Sequence, residues 1–346
     1  MNFNDEISLG AIYIGTLIGA GFASGQEIMS FFTIYGKEGL LGIITAAILF
    51  FLLGYFILRQ AIRLQSECAE DVLLQIAGGR LMSLIDIYVD IFCLAGYYIM
   101  LSGCGAVLKE CMNIDYILTV LLLNIVIVMC LKKGVSSLAK LNKLLVSIMI
   151  IITLFIGFCC LKENPNALSC IKTLPGKKSW LISSLIYVSY NITLALVVLS
   201  SLGTYTNRES AAWGAAIIGA LGLMAMAVVM WFITSVNYAS LSVGVQIPLL
   251  WVARQYHHVI YLISILVLLS AMLTTALSLG FSFSRGFAHR FGINYRNALN
   301  LLFIGIPFTK YSFASLINKI YPLFGIIGIF FGILLVIRRV LSIKIE

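Results

Sequence analysis

The sequence predicts an all-α polytopic membrane protein of about ten helices, arranged as a 5+5 inverted repeat with the first and sixth helices broken. Three observations predict it. The 346 residues are 61% hydrophobic and only 11% charged, with a mean hydropathy of +1.05, whereas soluble domains carry about 25% charged residues. The apolar runs recur at the length a bilayer demands, about 20 residues each. The first run is interrupted by Gly15-Thr-Leu-Ile-Gly-Ala-Gly-Phe-Ala-Ser-Gly-Gln-Glu27. A helix in lipid must satisfy its own backbone, so unwinding at that depth is tolerated only against protein, water or a bound solute. Glycine is a poor helix former and lets the chain open there.

The runs place spans near 7–34, 39–60, 82–108, 115–131, 143–161, 180–202, 212–235, 259–284, 297–312 and 315–338. Segment 64–80 is polar enough to form a separate connecting helix, and 236–258 reads as a loop helix lying over the outer mouth. Met1 to Ser8 holds Asp5 and Glu6 and no Lys or Arg. That is not the basic start of a signal peptide, and the first run is expected to be retained. Most of the 23 basic residues, among them Arg59, Arg63, Lys132, Arg208, Arg290 and Arg338, then fall on one face. The positive-inside rule makes that face cytoplasmic, with both termini on it. The formal charge of +9 is explained by these short loops, so no nucleic-acid partner is expected; the partners are a small solute and the lipid bilayer.

Five spans per half is an odd number, so the second half enters from the opposite side and the repeat is inverted. The halves are 1–161 and 180–346, joined by the extracellular loop 162–179, in one membrane domain. By that symmetry the sixth span should be broken too, at its polar cluster Ser189, Tyr190, Asn191 and Thr193.

Enzyme chemistry finds no support in the motifs. There is no His-Glu-x-x-His, no nucleophile elbow and no paired acids with a histidine at catalytic spacing. The eight cysteines form no CxxC pair, so no cofactor is expected beyond a coupling ion. Ionisable residues inside the membrane are functional candidates. Glu27 is one, as a gate or proton-linked residue. Asp86 and Asp90, one turn apart, are candidates for an inner gate closed by Arg or Lys from another helix.

The broken first span in this topology resembles the amino acid–polyamine–organocation superfamily with its leucine-transporter (LeuT-type) fold. More narrowly, Ile18-Gly-Ala-Gly-Phe-Ala-Ser-Gly-Gln-Glu-Ile28 with Phe31-Phe32, and Tyr321-Pro-Leu-Phe-Gly325, look like the signature of YkvI-like bacterial membrane proteins. The resemblance implies a secondary transporter working by alternating access in a prokaryotic plasma membrane, with no substrate fixed by the narrower group. Sodium-coupled members hold an ion between the first and eighth spans. Ala271-Met-Leu-Thr-Thr275 is similar to their eighth-span pattern, so the resemblance implies a sodium site at Gly15, Ile18, Ala271, Thr274 and Thr275. A second sodium site is not implied, because its asparagine falls at Phe22.

The leading expectation is therefore sodium-coupled symport of a small amino acid or similar zwitterion. Gly19, Ala20 and Gly21 would hold its carboxylate by backbone N–H, and groups near Tyr190 and Asn191 its amine. Tyr97 or Tyr98 stands where the family places a tyrosine facing substrate. The alternatives are a proton-linked or exchange transporter, with Lys143 near the vacant ion site, and a non-transporting membrane sensor.

Overall fold

The computed structural model describes residues 3–66, 69–133, 138–164, 179–242 and 244–343. Among the described residues every regular element is helical. Seven helices are long and apolar enough to cross a membrane, and Tyr116–Lys132 is a shorter apolar helix.

The first span is three pieces, α1 (Phe3–Leu17), α2 (Ala20–Ala23) and α3 (Gln26–Phe31). It turns at Thr33–Tyr35 into α4 (Glu38–Leu64). Helix α5 (Ala69–Met112) runs unbroken for 44 residues. The polar stretch expected as a separate helix over 64–80 is thus mostly the first turns of the third span: nothing in 69–82 is proline, and Glu70, Gln75 and Arg80 are good helix formers. Helices α6 (Tyr116–Lys133), α7 (Leu138–Glu163), α8 (Trp180–Ser200) and α9 (Ala211–Val236) follow. Two short helices, α10 (Tyr238–Leu241) and α11 (Pro248–Tyr256), form the expected loop helix. Then come α12 (His258–Phe291), α13 (Tyr295–Asn300) and α14 (Phe313–Ile343).

Two sequence expectations need correction. The sixth span, α8, is one continuous helix. Its polar residues bond back to their own helix: Ser184 Oγ to Trp180 O, Asn191 Nδ2 to Tyr187 O, Thr193 Oγ1 to Ser189 O. Such back-bonding satisfies the side chains without opening the backbone, and α8 holds neither glycine nor proline. The ninth span, expected over 297–312, is only α13 followed by 3-10 turns at Leu301–Phe303 and Ile306–Lys310, the second of which holds Pro307, a residue with no N–H to donate.

The helices pack in two groups. Helices α1, α4, α8 and α9 lie against one another, and α5 lies along α12 with α6 beside it; α14 touches both α8 and α5. Small residues permit the close approaches. Tyr13, wholly buried, lies where a Cβ on Gly54 or Gly219 would stand, and its hydroxyl donates to Phe50 O at 2.8 Å. The opposite face of α4 presents Leu41, Ile44, Ile48 and Leu52 at helical spacing, each about half exposed. An apolar stripe of that kind suits lipid rather than water.

Candidate functional site

The break in the first span has a definite hydrogen-bond meaning. Ile18 N–H still donates to Ile14 O, and Ala23 N–H donates to Gly19 O. Between them one full turn of bonds is missing. Among the described residues, the carbonyls of Gly15, Thr16, Leu17 and Ile18 receive no backbone N–H, and the N–H groups of Gly19, Ala20, Gly21 and Phe22 find no backbone acceptor. A helix end normally leaves four such groups orphaned; here the two ends face each other within one span. Space lies open beside Gly15 and Gly19, where an added Cβ would meet nothing within 4 Å.

The chain re-enters a helix through a turn at Ser24 and Gly25. Ser24 Oγ donates to Gly21 O at 2.7 Å and accepts from Gln26 N at 3.1 Å. Gly25 has φ of +80°, a conformation that penalises any side chain. The following turn carries Glu27, which is buried, its Oε2 accepting from the Tyr190 hydroxyl at 2.9 Å. Its other oxygen, Oε1, lies against Gly21, where a Cβ would collide with it. The carboxylate therefore folds back onto the break, beside the residues expected to receive a substrate carboxylate. Among the described residues no Lys, Arg or His pairs with Glu27.

Aromatic rings close this corner. Tyr190 stacks on Tyr321 at 4.6 Å and meets Tyr187 edge-on at 5.6 Å, and Phe31 touches Tyr187 and Tyr190 at 5.5 and 5.6 Å. All four are buried. Ser183 Oγ donates to Phe31 O at 2.7 Å and fixes the end of α3 on α8. Tyr187 and Tyr321 were not singled out from sequence, although Tyr321 opens the Tyr-Pro-Leu-Phe-Gly patch.

The proposed ion ligands come from neighbouring elements, since α12 packs against α2. Thr274 is buried and its hydroxyl donates to Ala271 O at 3.0 Å, while Thr275 is half-buried. The carbonyls of Gly15 and Ile18 receive no backbone N–H, while Ala271 O already accepts from the Thr274 hydroxyl. Among the described residues no three His, Cys, Asp or Glu side chains gather as for a transition metal.

Other expected residues are engaged elsewhere. The Tyr97 hydroxyl donates to Asn124 Oδ1 at 2.6 Å, and the Tyr98 hydroxyl accepts from Gly305 N at 2.9 Å. Both fasten α5 to α6 and the ninth span rather than facing the break. The tyrosine of α5 that reaches α8 is Tyr88, within 3.2 Å of Thr193 Oγ1 and donating to Phe324 O at 3.0 Å. Asn191 spends its amide on α8 itself. Asp90 pairs with Arg290 of another helix at 3.0 Å, a bond between α5 and α12, which pack along each other. Asp86 is half-buried one turn away. Lys143 stands in α7 with its side chain outside the described residues.

Similarity to known proteins agrees with this architecture. No protein-family model matches the chain. Two Bacillus subtilis proteins are similar along almost their whole length. The uncharacterized membrane protein YkvI is 25% identical over 340 residues, 94% of each chain. The uncharacterized protein YyaD is 27% identical over 338 residues, 96% of each. Among solved structures, the amino-acid-bound MhsT, in complex with L-phenylalanine, superimposes with a TM-score of 0.63 at 16% identity, over 92% of this chain and 80% of MhsT. Mhp1, a nucleobase-cation-symport-1 family transporter, gives 0.62 at 15%, over 92% and 74%. A manganese transporter from Eremococcus coleocola gives 0.63 at 14%, over 94% and 77%. The chain has the LeuT-type fold of these transporters and is similar, nearly end to end, to YkvI and YyaD.

Proposed function

We propose that this protein is a secondary active transporter that couples sodium to the symport of a small amino acid or similar zwitterion. The observation that carries the reading is the missing turn of hydrogen bonds at Gly15 to Phe22, which exposes four carbonyls and four N–H groups inside one membrane span. Such groups are costly in a bilayer unless a solute or ion meets them. Sodium at the carbonyls of Gly15, Ile18 and Ala271 and the hydroxyls of Thr274 and Thr275 ties the first span to α12. The ion thereby favours the conformer in which the two helix groups are held in register, and its release frees them; that is population shift through differential binding. The similarity to MhsT and Mhp1 supports transport, and the bilayer-facing stripe on α4 supports the membrane setting.

The test is flux. The purified chain is reconstituted into sealed liposomes, and uptake from a mixture of the 20 amino acids is followed by mass analysis, under an inward sodium gradient and under a matched potassium gradient. Sodium-driven accumulation of one solute, lost in Thr275→Ala, supports the proposal. Accumulation driven only by a proton gradient replaces sodium with a proton. Binding without flux of any solute assigns a sensor.

A further inference from the structure

A buried acid with no cationic partner needs an explanation, because an isolated charge in an apolar interior is among the most expensive arrangements a protein can make. Glu27 is only 5% exposed, and among the described residues the one hydrogen bond its carboxylate accepts comes from Tyr190. Phe31 lies one turn further along α3 on the same face, and the rings of Phe31, Tyr187 and Tyr321 pack against the ring of Tyr190, whose hydroxyl reaches the carboxylate. Three of the four rings are phenols. An aromatic group closed by one carboxylate is the chemistry that receives an ammonium: the carboxylate accepts its hydrogens and the ring faces attract its charge.

The position decides which end of a solute is read. Glu27 Oε1 occupies the space a side chain on Gly21 would take, so a fixed carboxylate already stands beside the amide end of α2. A solute carboxylate entering there finds the place beside Gly21 already taken, whereas an ammonium brought against Glu27 favours the ionised form of the acid. An amine entering there is paired on arrival, and the open space beside Gly15 and Gly19 leaves room for the rest of the solute.

We infer that Glu27, with Tyr190 and the rings of Phe31, Tyr187 and Tyr321, is the receptor for a positively charged amine, so that the amine of the cargo is required and its carboxylate is dispensable. This inference rests on the transporter reading for the word cargo, but its binding chemistry stands apart from flux. It also departs from the expectation that carbonyls near Tyr190 and Asn191 take the amine.

The experiment titrates the purified full chain, in sodium chloride, with primary alkylamines of two to six carbons, the carboxylates of the same skeletons and the corresponding α-amino acids. Thermal melting is read at each concentration, since a ligand of the folded state raises the midpoint. Amines and amino acids are expected to stabilise the protein and carboxylates not. Glu27→Gln, which keeps the shape, is expected to raise the half-saturating amine concentration about tenfold or more, the scale of one hydrogen bond to a charge. Tyr321→Leu should raise it by about two- to fivefold, through the ring face alone. If carboxylates stabilise as well as amines, if no amine stabilises, or if Glu27→Gln leaves the titration unchanged, the inference is overturned. The same liposomes separate the two readings. Sodium-driven uptake of a solute that lacks an amine leaves the transporter and removes the inference; amine binding without uptake leaves the inference and removes the transporter.

Discussion

Substituting Gly21 by Ala probes the contact on which the site is built. An added Cβ collides with Glu27 Oε1 and crowds Cδ and Cγ. A free carboxylate would swing aside at little cost. This one is buried and held by Tyr190 at 2.9 Å, so moving it breaks that hydrogen bond and leaves a buried carboxyl oxygen unsatisfied, worth about 1–3 kcal/mol. Alanine recovers about 0.5–1 kcal/mol of helix propensity. The net expectation is a loss of about 1–2 kcal/mol. Gly19→Ala is the control: φ is −85° with extended ψ, and nothing lies within 4 Å of its Cβ, so its effect should stay within about 0.5 kcal/mol. The assay is a double-mutant cycle of Gly21→Ala with Glu27→Ala, each protein unfolded by denaturant in the same detergent. Removing the carboxylate relieves the collision, so the cycle should show a coupling of about 1.5 kcal/mol or more. If Gly21→Ala behaves like Gly19→Ala and the cycle is additive, Glu27 does not lie on the break and the argument built on it fails.

Three further substitutions test the frame around the site. Thr274→Ala removes the hydroxyl that bonds Ala271 O and should abolish any sodium-specific rise in melting midpoint over potassium, while Thr274→Ser retains it; equal sodium shifts in the two variants remove the ion from this position. Gly325→Ala drives a Cβ into the backbone carbonyl of Ile186, where no side chain can give way, and should cost about 1–3 kcal/mol by forcing α14 off α8; denaturant unfolding unchanged from the parent contradicts that packing. Asp90→Ala leaves Arg290, about a quarter exposed, without its partner, for a loss of about 1–3 kcal/mol. Sodium dependence of melting should survive it, because this pair lies within one helix group; loss of that dependence makes Asp90 a coupling residue.

The break was legible because glycine and lipid constrain the backbone in the same direction. Four glycines cannot sustain a membrane helix without a reason, and the reason is local. The sixth span was misread by a symmetric argument that ignored where side chains spend their hydrogen bonds. Asn191 and Thr193 look like an opening in sequence, yet each bonds one turn back along α8. Tyr97 and Tyr98 were chosen by depth along α5, but depth does not tell which neighbour a ring faces; Asn124 and Gly305 claim them. The meeting of Glu27 with Gly21 was beyond reach for the same reason. They stand six positions apart, with the left-handed turn at Gly25 between them.

Helix α11 has a consequence for how the molecule moves. At its start, Leu249 N–H donates to Ser24 O at 3.0 Å, on the far side of the break. At its end, His257 alone separates it from α12. Its nine residues make a stay about 13 Å long, anchored to the first span at one end and to α12 at the other. Widening the bundle on that side stretches the stay and must sever the Leu249 bond or unwind α11. Elsewhere the ion pairs Asp5–Arg208 and Arg59–Glu209 tie α1 and α4 to the segment before α9, and Asp90–Arg290 ties α5 to α12. A widening on the α11 side is thus passed directly to the turn that follows the break in the first span.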